Sequence, residues 1–141
     1  MAHLQVEIVA PDRRVFQGEA RGVQAPGRFG SFEVLFNHAP MIAAFDIGAI
    51  RVTASDGEQV FFASSGGFLE VIDNRVTVLA DTAEPVSKID TQRAKAAEER
   101  ALSRLQSTGE DIDRLRAGRA LERARNRLRM AMGRIGRTAS A

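Results

Sequence analysis

The sequence predicts an α+β protein in which an antiparallel sheet of many short strands, closed as a sandwich or barrel, precedes a C-terminal helical hairpin. Up to residue 86 apolar residues recur at every second position between short turns, and beyond it they recur at helical spacing. Composition changes at the same place, since all four prolines and all eight phenylalanines lie in residues 1–86. The net charge is −5 for residues 1–86 and +7 for residues 87–141. We therefore expect two domains, residues 1–86 and 87–141.

The strands are indicated by period-two alternation. Leu4, Val6 and Ile8 form one such run, with polar residues between them. Turn signals at residues 55–57 and 73–74 each separate two further runs, because Gly, Asn and Asp accept a positive φ. Glycines interrupt the remaining segment at intervals too short for helices of ordinary length. This pattern is typical of a sheet built from many short strands.

The C-terminal segment has the features of two antiparallel helices. Asp90, or Ser87 before it, is a candidate N-cap for a helix that ends near Gln106, because its side-chain oxygen can accept the first amide protons. The Ser-Thr-Gly segment at 107–109 interrupts the pattern. The apolar stripes consist of Ala94, Ala97, Ala101 or Leu102, and Leu105 in the first helix, and of Ala117, Leu121, Ala124, Leu128, Ala131 and Ile135 in the second. Since alanine buries little apolar area, we expect the hairpin to be only marginally held.

The composition excludes several kinds of chemistry. The 141 residues include no cysteine and only two histidines, so disulfides, thiol catalysis and ordinary zinc sites are ruled out. His38 lies in the turn-like segment 37–40, and the glycine-rich segment 27–30 lacks the pattern of a phosphate-binding loop, so no catalytic or metal-binding residue is assigned. The longest apolar run, residues 41–45, is far too short to cross a bilayer. We expect a soluble, cytoplasmic, unprocessed protein that is not an enzyme.

The second helix is unusually rich in arginine. Nine arginines lie between residues 114 and 137, where Glu122 is the single acidic residue. Like charges one turn apart, such as Arg119 and Arg123, repel each other, so the pattern indicates an anionic partner unless it is simply a solvated face. Nucleic acid is disfavoured by the absence of aromatic side chains in the helix, and a membrane by its alanine-rich stripe. One alternative stays open: a β-sandwich binding module with a basic helical arm for nucleic acid or anionic lipid.

Six groups of residues occur in an order and spacing that one protein family shares. They are Leu4–Val9 with Phe16 and Gly18, Asn37–Pro40, Ile47–Arg51, Ser65–Val71, Val76–Ala83, and Ile89–Ala94. Together they resemble the epsilon subunit of bacterial F-type ATP synthases over essentially the whole chain. The sequence departs from the family pattern at two places. Phe36-Asn37 stands where the family usually has Pro-Gly, and Phe32-Glu33 stands where a small residue is common. Asn accepts a positive φ, so we expect the turn before His38 to be kept.

The resemblance implies an N-terminal antiparallel β-sandwich of about ten short strands followed by a C-terminal antiparallel two-helix hairpin. It also implies a non-catalytic subunit of the central stalk, at the cytoplasmic face of the bacterial membrane, which couples proton translocation to ATP synthesis. Its expected partners are the gamma subunit, the c-ring, and the alpha and beta subunits of the catalytic head. No nucleic acid is expected, and membrane association occurs only through the complex. The helices are expected either to lie against the sandwich or to extend towards the head, where they inhibit ATP hydrolysis.

The resemblance also implies three sets of contact residues. The set for the gamma subunit and the c-ring is His38, Ala39 and Pro40. The set for the beta subunit is Arg116, Arg119 and Arg123. The set for a regulatory ATP, the one cofactor considered, is Ile89, Asp90, Arg93, Ala94, Arg123 and Arg127. By geometry alone, a helix cap at Asp90 and a solvated Arg93 are the favoured explanation of the first part of this last set.

Overall fold

The computed structural model describes residues 3–106 and 111–133. In this part of the chain, seven strands are followed by one turn of 3-10 helix, Val86–Lys88, and two α-helices. The strands are β1 Leu4–Ala10, β2 Arg13–Gly27, β3 Gly30–Leu35, β4 Met41–Ala54, β5 Gln59–Ile72, β6 Arg75–Ala80 and β7 Ala83–Pro85. The helices are α1 Thr91–Gln106 and α2 Asp111–Ala131. The expected order of a sheet followed by two helices is therefore present.

The sheet closes on itself. Its strands follow the order β1-β6-β5-β4-β2-β3, and β1 also pairs with β2. β1 runs parallel to β6, and the other pairings are antiparallel. Because β1 is bonded on both sides, the two layers of the sandwich belong to one continuous hydrogen-bonded surface. This arrangement confirms the predicted antiparallel sandwich, with the single parallel pair as its exception.

The strands are fewer and longer than the predicted ten. β2, β4 and β5 have 15, 14 and 14 residues. The glycines that indicated strand ends, including Gly48 and Gly66, lie inside these strands instead. The β2–β4 pairing contains two register shifts, and irregularities of this kind let long strands bend. The turns at 55–57 and 73–74 are confirmed, with φ of 90° at Gly57 and 61° at Asn74.

The core of the sandwich consists of strand residues. β1 alternates buried and more exposed positions as a half-buried strand must, and the rings of Phe16 and Phe62 pack edge to face at 5.7 Å. The larger members of the buried cluster are Leu4, Val6, Ile8, Val23, Val34, Phe45, Ile50, Val52, Phe62, Leu69, Val71, Val76 and Val78. No residue of α1 or α2 belongs to this cluster, as far as the described residues go. The sheet therefore encloses its core without the helices.

The helices form the predicted hairpin. α1 begins after Asp90, whose Oδ1 accepts hydrogen bonds from the backbone N–H groups of Gln92 and Arg93 at 3.0 and 3.2 Å, so the predicted N-cap is confirmed. Ala94 and Ala101 of α1 are buried. The buried residues of the predicted stripe in α2 are Ala117, Leu121 and Ala124, and Leu128 and Ala131 are half-buried. The predicted break at 107–109 and Ile135 lie outside the described residues.

We expect the close approach of β5 and β6 to depend on Gly67, which has a φ of 153°. A Cβ at this position would collide with the carbonyl oxygen of Leu79. Gly67→Ala should therefore lower the free energy of unfolding by about 2–4 kcal/mol, measured by urea denaturation. The control is Gly18→Ala, because a Cβ at Gly18 finds its nearest neighbour at 3.4 Å. Equal stability of the two variants would contradict the close approach.

Candidate interaction surfaces

Helix α2 presents different chemistry to its two neighbours. Its apolar stripe, with Ala117, Leu121 and Ala124, is buried against α1. Successive helix residues are rotated by about 100°, so Arg119 and Asn126 lie on roughly the opposite side. This opposite side faces the sandwich, and it is mostly polar, with Met130 as its one buried apolar residue.

Among the described residues, three polar contacts join α2 to the sandwich. The Nδ2 of Asn126 donates to the carbonyl oxygen of Gly48 at 3.0 Å, and Asn126 is only 1% exposed. The Nε of Arg127 donates to Oε1 of Glu84 at 2.9 Å. The Nη2 of Arg119 lies 3.6 Å from Oδ1 of Asp46, and both side chains are about half exposed. An ion pair at such an exposed position contributes at most about 1 kcal/mol, so Arg119 and Asp46 add little to the attachment of the helix.

The arginines predicted to bind a beta subunit share the side of α2 that faces the sandwich. Arg116 is exposed, Arg119 pairs with Asp46, and Arg123 is half-buried. Arg125, on another side of the helix, instead pairs with Glu98 of α1, with 3.3 Å between Nε and Oε2. Acidic groups of the sandwich and of α1 therefore already face part of the basic helix.

A cavity of about 280 Å³ lies between α2 and the sandwich. Its described lining consists of Arg13, Ala63, Ser64, Ser65, Thr82, Ala83, Glu84, Arg123, Asn126 and Arg127. The structure thus brings Arg123 and Arg127 of the predicted nucleotide set to one site. Cationic groups beside hydroxyl groups suit a small anion or the phosphate end of a larger ligand. The Arg127–Glu84 ion pair occupies part of this site, so an anion would have to displace Glu84 from Arg127.

The remaining members of the predicted nucleotide set are not part of the described lining of this cavity. Asp90 uses Oδ1 to cap α1, and Arg93 is exposed. Ile89 is half-buried, and Ala94 is fully buried. In this arrangement of the helices, the set is therefore divided between the cavity and the start of α1.

The connection between β3 and β4 carries the predicted gamma and c-ring contact. Asn37 has a φ of 65°, which confirms the expected turn. The backbone N–H of Asn37 donates to Oδ1 of Asn74 at 2.6 Å, and the Nδ2 of Asn74 donates back to Oδ1 of Asn37 at 3.1 Å. The Nδ1 of His38 lies 2.7 Å from the carbonyl oxygen of Ala39. Hydrogen bonds to the neighbouring turn at Asn74 thus fix this loop. Ala39 and Pro40 within it are exposed.

An exposed apolar area continues from this loop across the outer side of the sheet. We refer to Ile42, Ala44, Phe68, Ile72 and Leu79 as the apolar face, within which the exposed Glu70 pairs with Ile42. Ala44 pairs with Phe68, and Phe68 with Leu79, so these three form a row across three strands. Ile42 is 72% exposed, Phe68 57% and Leu79 53%. Exposed apolar side chains grouped in this way are typical of an interaction surface.

Sequence reasoning did not identify the groups of the sandwich that contact α2. Asp46 and Glu84 lie in strands with no pattern that distinguishes them from solvated acidic residues. Asn126 carries a weak signal, because it is a lone amide inside a run of arginines, and a buried amide needs a partner. Its partner is a backbone carbonyl 78 residues away, which no local pattern reveals.

Two further findings bear on the class of protein. Among the described residues there is no group of three or more His, Cys, Asp or Glu side chains placed to bind a metal ion. None of the helices described is long and apolar enough to cross a membrane. The features that the structure does present are an exposed apolar face, a fixed loop beside it, and a basic helix resting on acidic groups. These features are typical of a protein subunit that contacts other subunits of an assembly.

Comparisons with known proteins agree with this class. The family model described as the beta-sandwich domain of the ATP synthase delta/epsilon chain matches residues 3–86, and the model of its long alpha-helix domain matches residues 87–132. An ATP synthase epsilon chain of Salinibacter ruber is 54% identical, over 94% of this chain and 95% of its own. One from Syntrophomonas wolfei is 48% identical, over 88% and 90%.

Solved structures show the same fold. A chain in a cryo-EM structure of Euglena gracilis mitochondrial ATP synthase, with OSCP, F1 and c-ring, superimposes with a TM-score of 0.78 at 23% identity, covering 89% of this chain and 79% of that one. The chain belongs to the ATP synthase delta/epsilon chain family. The resemblance found in the sequence is thereby confirmed, and so is the prediction of a non-catalytic ATP synthase subunit.

Proposed function

We propose that the protein couples proton translocation to ATP synthesis in the central stalk of a bacterial F-type ATP synthase and restrains ATP hydrolysis through its two helices. Family membership supports its place in the enzyme. The observation that supports the restraint is that α2 rests on the sandwich mainly through polar side chains, and none of its described residues belongs to the sandwich core. The hairpin can therefore leave the sandwich without opening that core. Held by the complex, the protein acts at the cytoplasmic face of the cell membrane.

In this proposal the sandwich binds the gamma subunit and the c-ring through His38, Ala39, Pro40 and the adjoining apolar face. Ile42 follows Pro40 after one residue, so the loop and the face form one surface. The loop is fixed by its bonds to Asn74 before any partner arrives. A surface that needs no ordering on binding loses less conformational entropy.

The apolar face gives a direct test of the gamma contact. Ile42→Glu places a charge in the middle of the proposed contact and should weaken binding of the full chain to purified gamma subunit by at least about tenfold, or about 1.4 kcal/mol. Titration calorimetry measures the change. Leu115→Glu is the matched control, because Leu115 is 70% exposed but lies on α2. Unchanged affinity of the Ile42 variant would argue against this surface.

The helices, when extended, are proposed to bind an acidic segment of the beta subunit through Arg116, Arg119 and Arg123. In the structure Arg119 instead pairs with Asp46, and Arg123 lies in the cavity beside Glu84. Acidic groups of the sandwich thus hold part of the same basic surface that an acidic segment would take. The exchange of one set of ion pairs for another changes the free energy little, which suits a reversible restraint.

The arginine side of α2 gives the test of the restraint. Replacing Arg116, Arg119 and Arg123 together by Gln should raise the ATPase activity of the assembled enzyme several-fold, because the extended helices lose their attraction to the acidic segment. Replacing Arg114, Arg125 and Arg129 by Gln is the matched control, with the same change in charge on other sides of α2. ATPase activity that stays unchanged in the first variant, or that rises equally in both, would refute the proposed contact.

Regulatory ATP binding is a second candidate function, favoured by one observation: Arg123 and Arg127 line the same cavity. We propose that they bind the phosphates, while Ile89, Asp90, Arg93 and Ala94 complete the site at the start of α1. The Nε and Nη2 of Arg127 then exchange Glu84 for a phosphate oxygen.

An NMR titration of the full chain with ATP tests this second function. We expect the side-chain Nε–H signals of Arg123 and Arg127 to shift at millimolar ATP or below, since guanidinium groups bind phosphate oxygens directly. Arg127→Gln should abolish the shift of Arg123, whereas the control Arg129→Gln should leave it intact. The absence of any shift at millimolar ATP would exclude nucleotide binding.

A further inference from the structure

Asn126 is the most deeply buried polar residue of α2 whose surroundings are described. It is 1% exposed, and its Nδ2 donates to the carbonyl oxygen of Gly48 across the contact between helix and sandwich. The two ion pairs beside it are different in kind, since their side chains are between 29% and 53% exposed. Water competes with those pairs but is excluded from the amide. The buried bond is therefore the contact most sensitive to the exact position of the helix.

The carbonyl that accepts this bond lies at an irregular point of the sheet. The pairing of β4 with β2 shifts between Gln24 and Gly27, and Gly48 lies opposite this shift. Pro26 packs there so closely that a Cβ on Gly48 would stand 2.7 Å from the Cβ of Pro26. Proline has no N–H to donate, so it cannot supply a hydrogen bond to β4 at this point. The side chain of Asn126 brings a donor to the same region.

The neighbours of Asn126 in the sequence make the contact selective. A shift of α2 by one residue would bring Arg125 or Arg127 to the buried position, where a guanidinium group would lose its water and its present carboxylate partner. A shift by one turn would bring Met130, which has no donor for the Gly48 carbonyl. Only the observed position supplies a neutral donor of the right length.

The same amide also keeps the contact weak. Its Oδ1 is buried without a hydrogen-bond partner among the described residues. In water, after release of the helix, both the oxygen and the nitrogen would be solvated. The amide thus specifies where α2 docks, while its one unpaired atom limits the free energy that docking gains.

We propose that Asn126 is the latch of the helical hairpin: its hydrogen bond to Gly48 selects the docked position of α2, and loss of that bond releases the hairpin. The latch concerns docking alone, so it can hold even if the proposed inhibition of hydrolysis does not. Asn126→Ala removes the donor without adding charge and favours the helix itself. Asn126→Asp keeps the shape but turns the donor into a buried anion facing a carbonyl oxygen.

The test measures the distance between α2 and the sandwich in the full chain. Because the sequence has no cysteine, nitroxide labels at Glu58→Cys and Leu115→Cys would be the only ones, and both positions are exposed. Pulsed electron paramagnetic resonance then gives the ratio of docked to released molecules. We expect Asn126→Ala to lower this ratio about tenfold, or about 1.4 kcal/mol, and Asn126→Asp to lower it further.

Arg129→Gln is the matched control, since it changes the net charge by the same amount as Asn126→Asp at an exposed position of the same helix. Far-ultraviolet circular dichroism checks that the helices persist. The amide signals of the sandwich in an NMR spectrum check that the core is intact. The proposal of a latch would be refuted if both checks are passed and the Asn126 variants show the same distance distribution as Arg129→Gln. If the hairpin is released but the ATPase activity of the assembled enzyme does not change, the latch stands and the proposed inhibition fails.

Discussion

Helix α2 has one apolar stripe and two neighbours. The stripe, with Ala117, Leu121 and Ala124, is used against α1, so the side that meets the sandwich is left with arginines, one amide and a single buried apolar residue, Met130. Contacts of this kind are specific in geometry but gain little free energy, because water solvates the same groups when they separate. The proposed mobility of the hairpin follows from this division of the helix surface.

The sandwich, by contrast, completes its own core. The buried cluster contains residues from the strands and, within the described chain, none from the helices. β1 closes the sheet by pairing with β2 and β6, so its hydrogen-bonding edges are used internally. A closed body of this kind can stay bound to partners through its loop and its apolar face while the helices change position. In the proposed function, attachment and regulation therefore belong to separate parts of the chain.

Sequence patterns predicted much of this arrangement because the relevant signals are local. Period-two alternation around Val6 and the capping oxygen of Asp90 depend on residues close in the chain, and the structure agrees at both places. The described chain has seven strands, three of them long, where the resemblance implied about ten short ones. Gly48 and Gly67 resemble strand ends in the sequence, but in the sheet they permit close packing inside long strands.

The candidate surfaces were less accessible to sequence reasoning because they join distant residues. Arg119 and Arg123 were recognised as a basic surface, but nothing near them in the sequence points to Asp46 or Glu84. The buried state of Asn126 likewise depends on a carbonyl of β4. Contacts between elements depend on how the chain folds back, and only the three-dimensional structure contains that information.

Native-state hydrogen exchange, followed residue by residue, tests most directly whether the hairpin is a separate, weakly held unit. The account predicts that the amides of α2 exchange through an opening whose free energy is several kcal/mol below that of the amides of β1 and β6. Exchange of α2 and these strands at one common free energy, equal to that of global unfolding, would show a single cooperative core and would contradict the account.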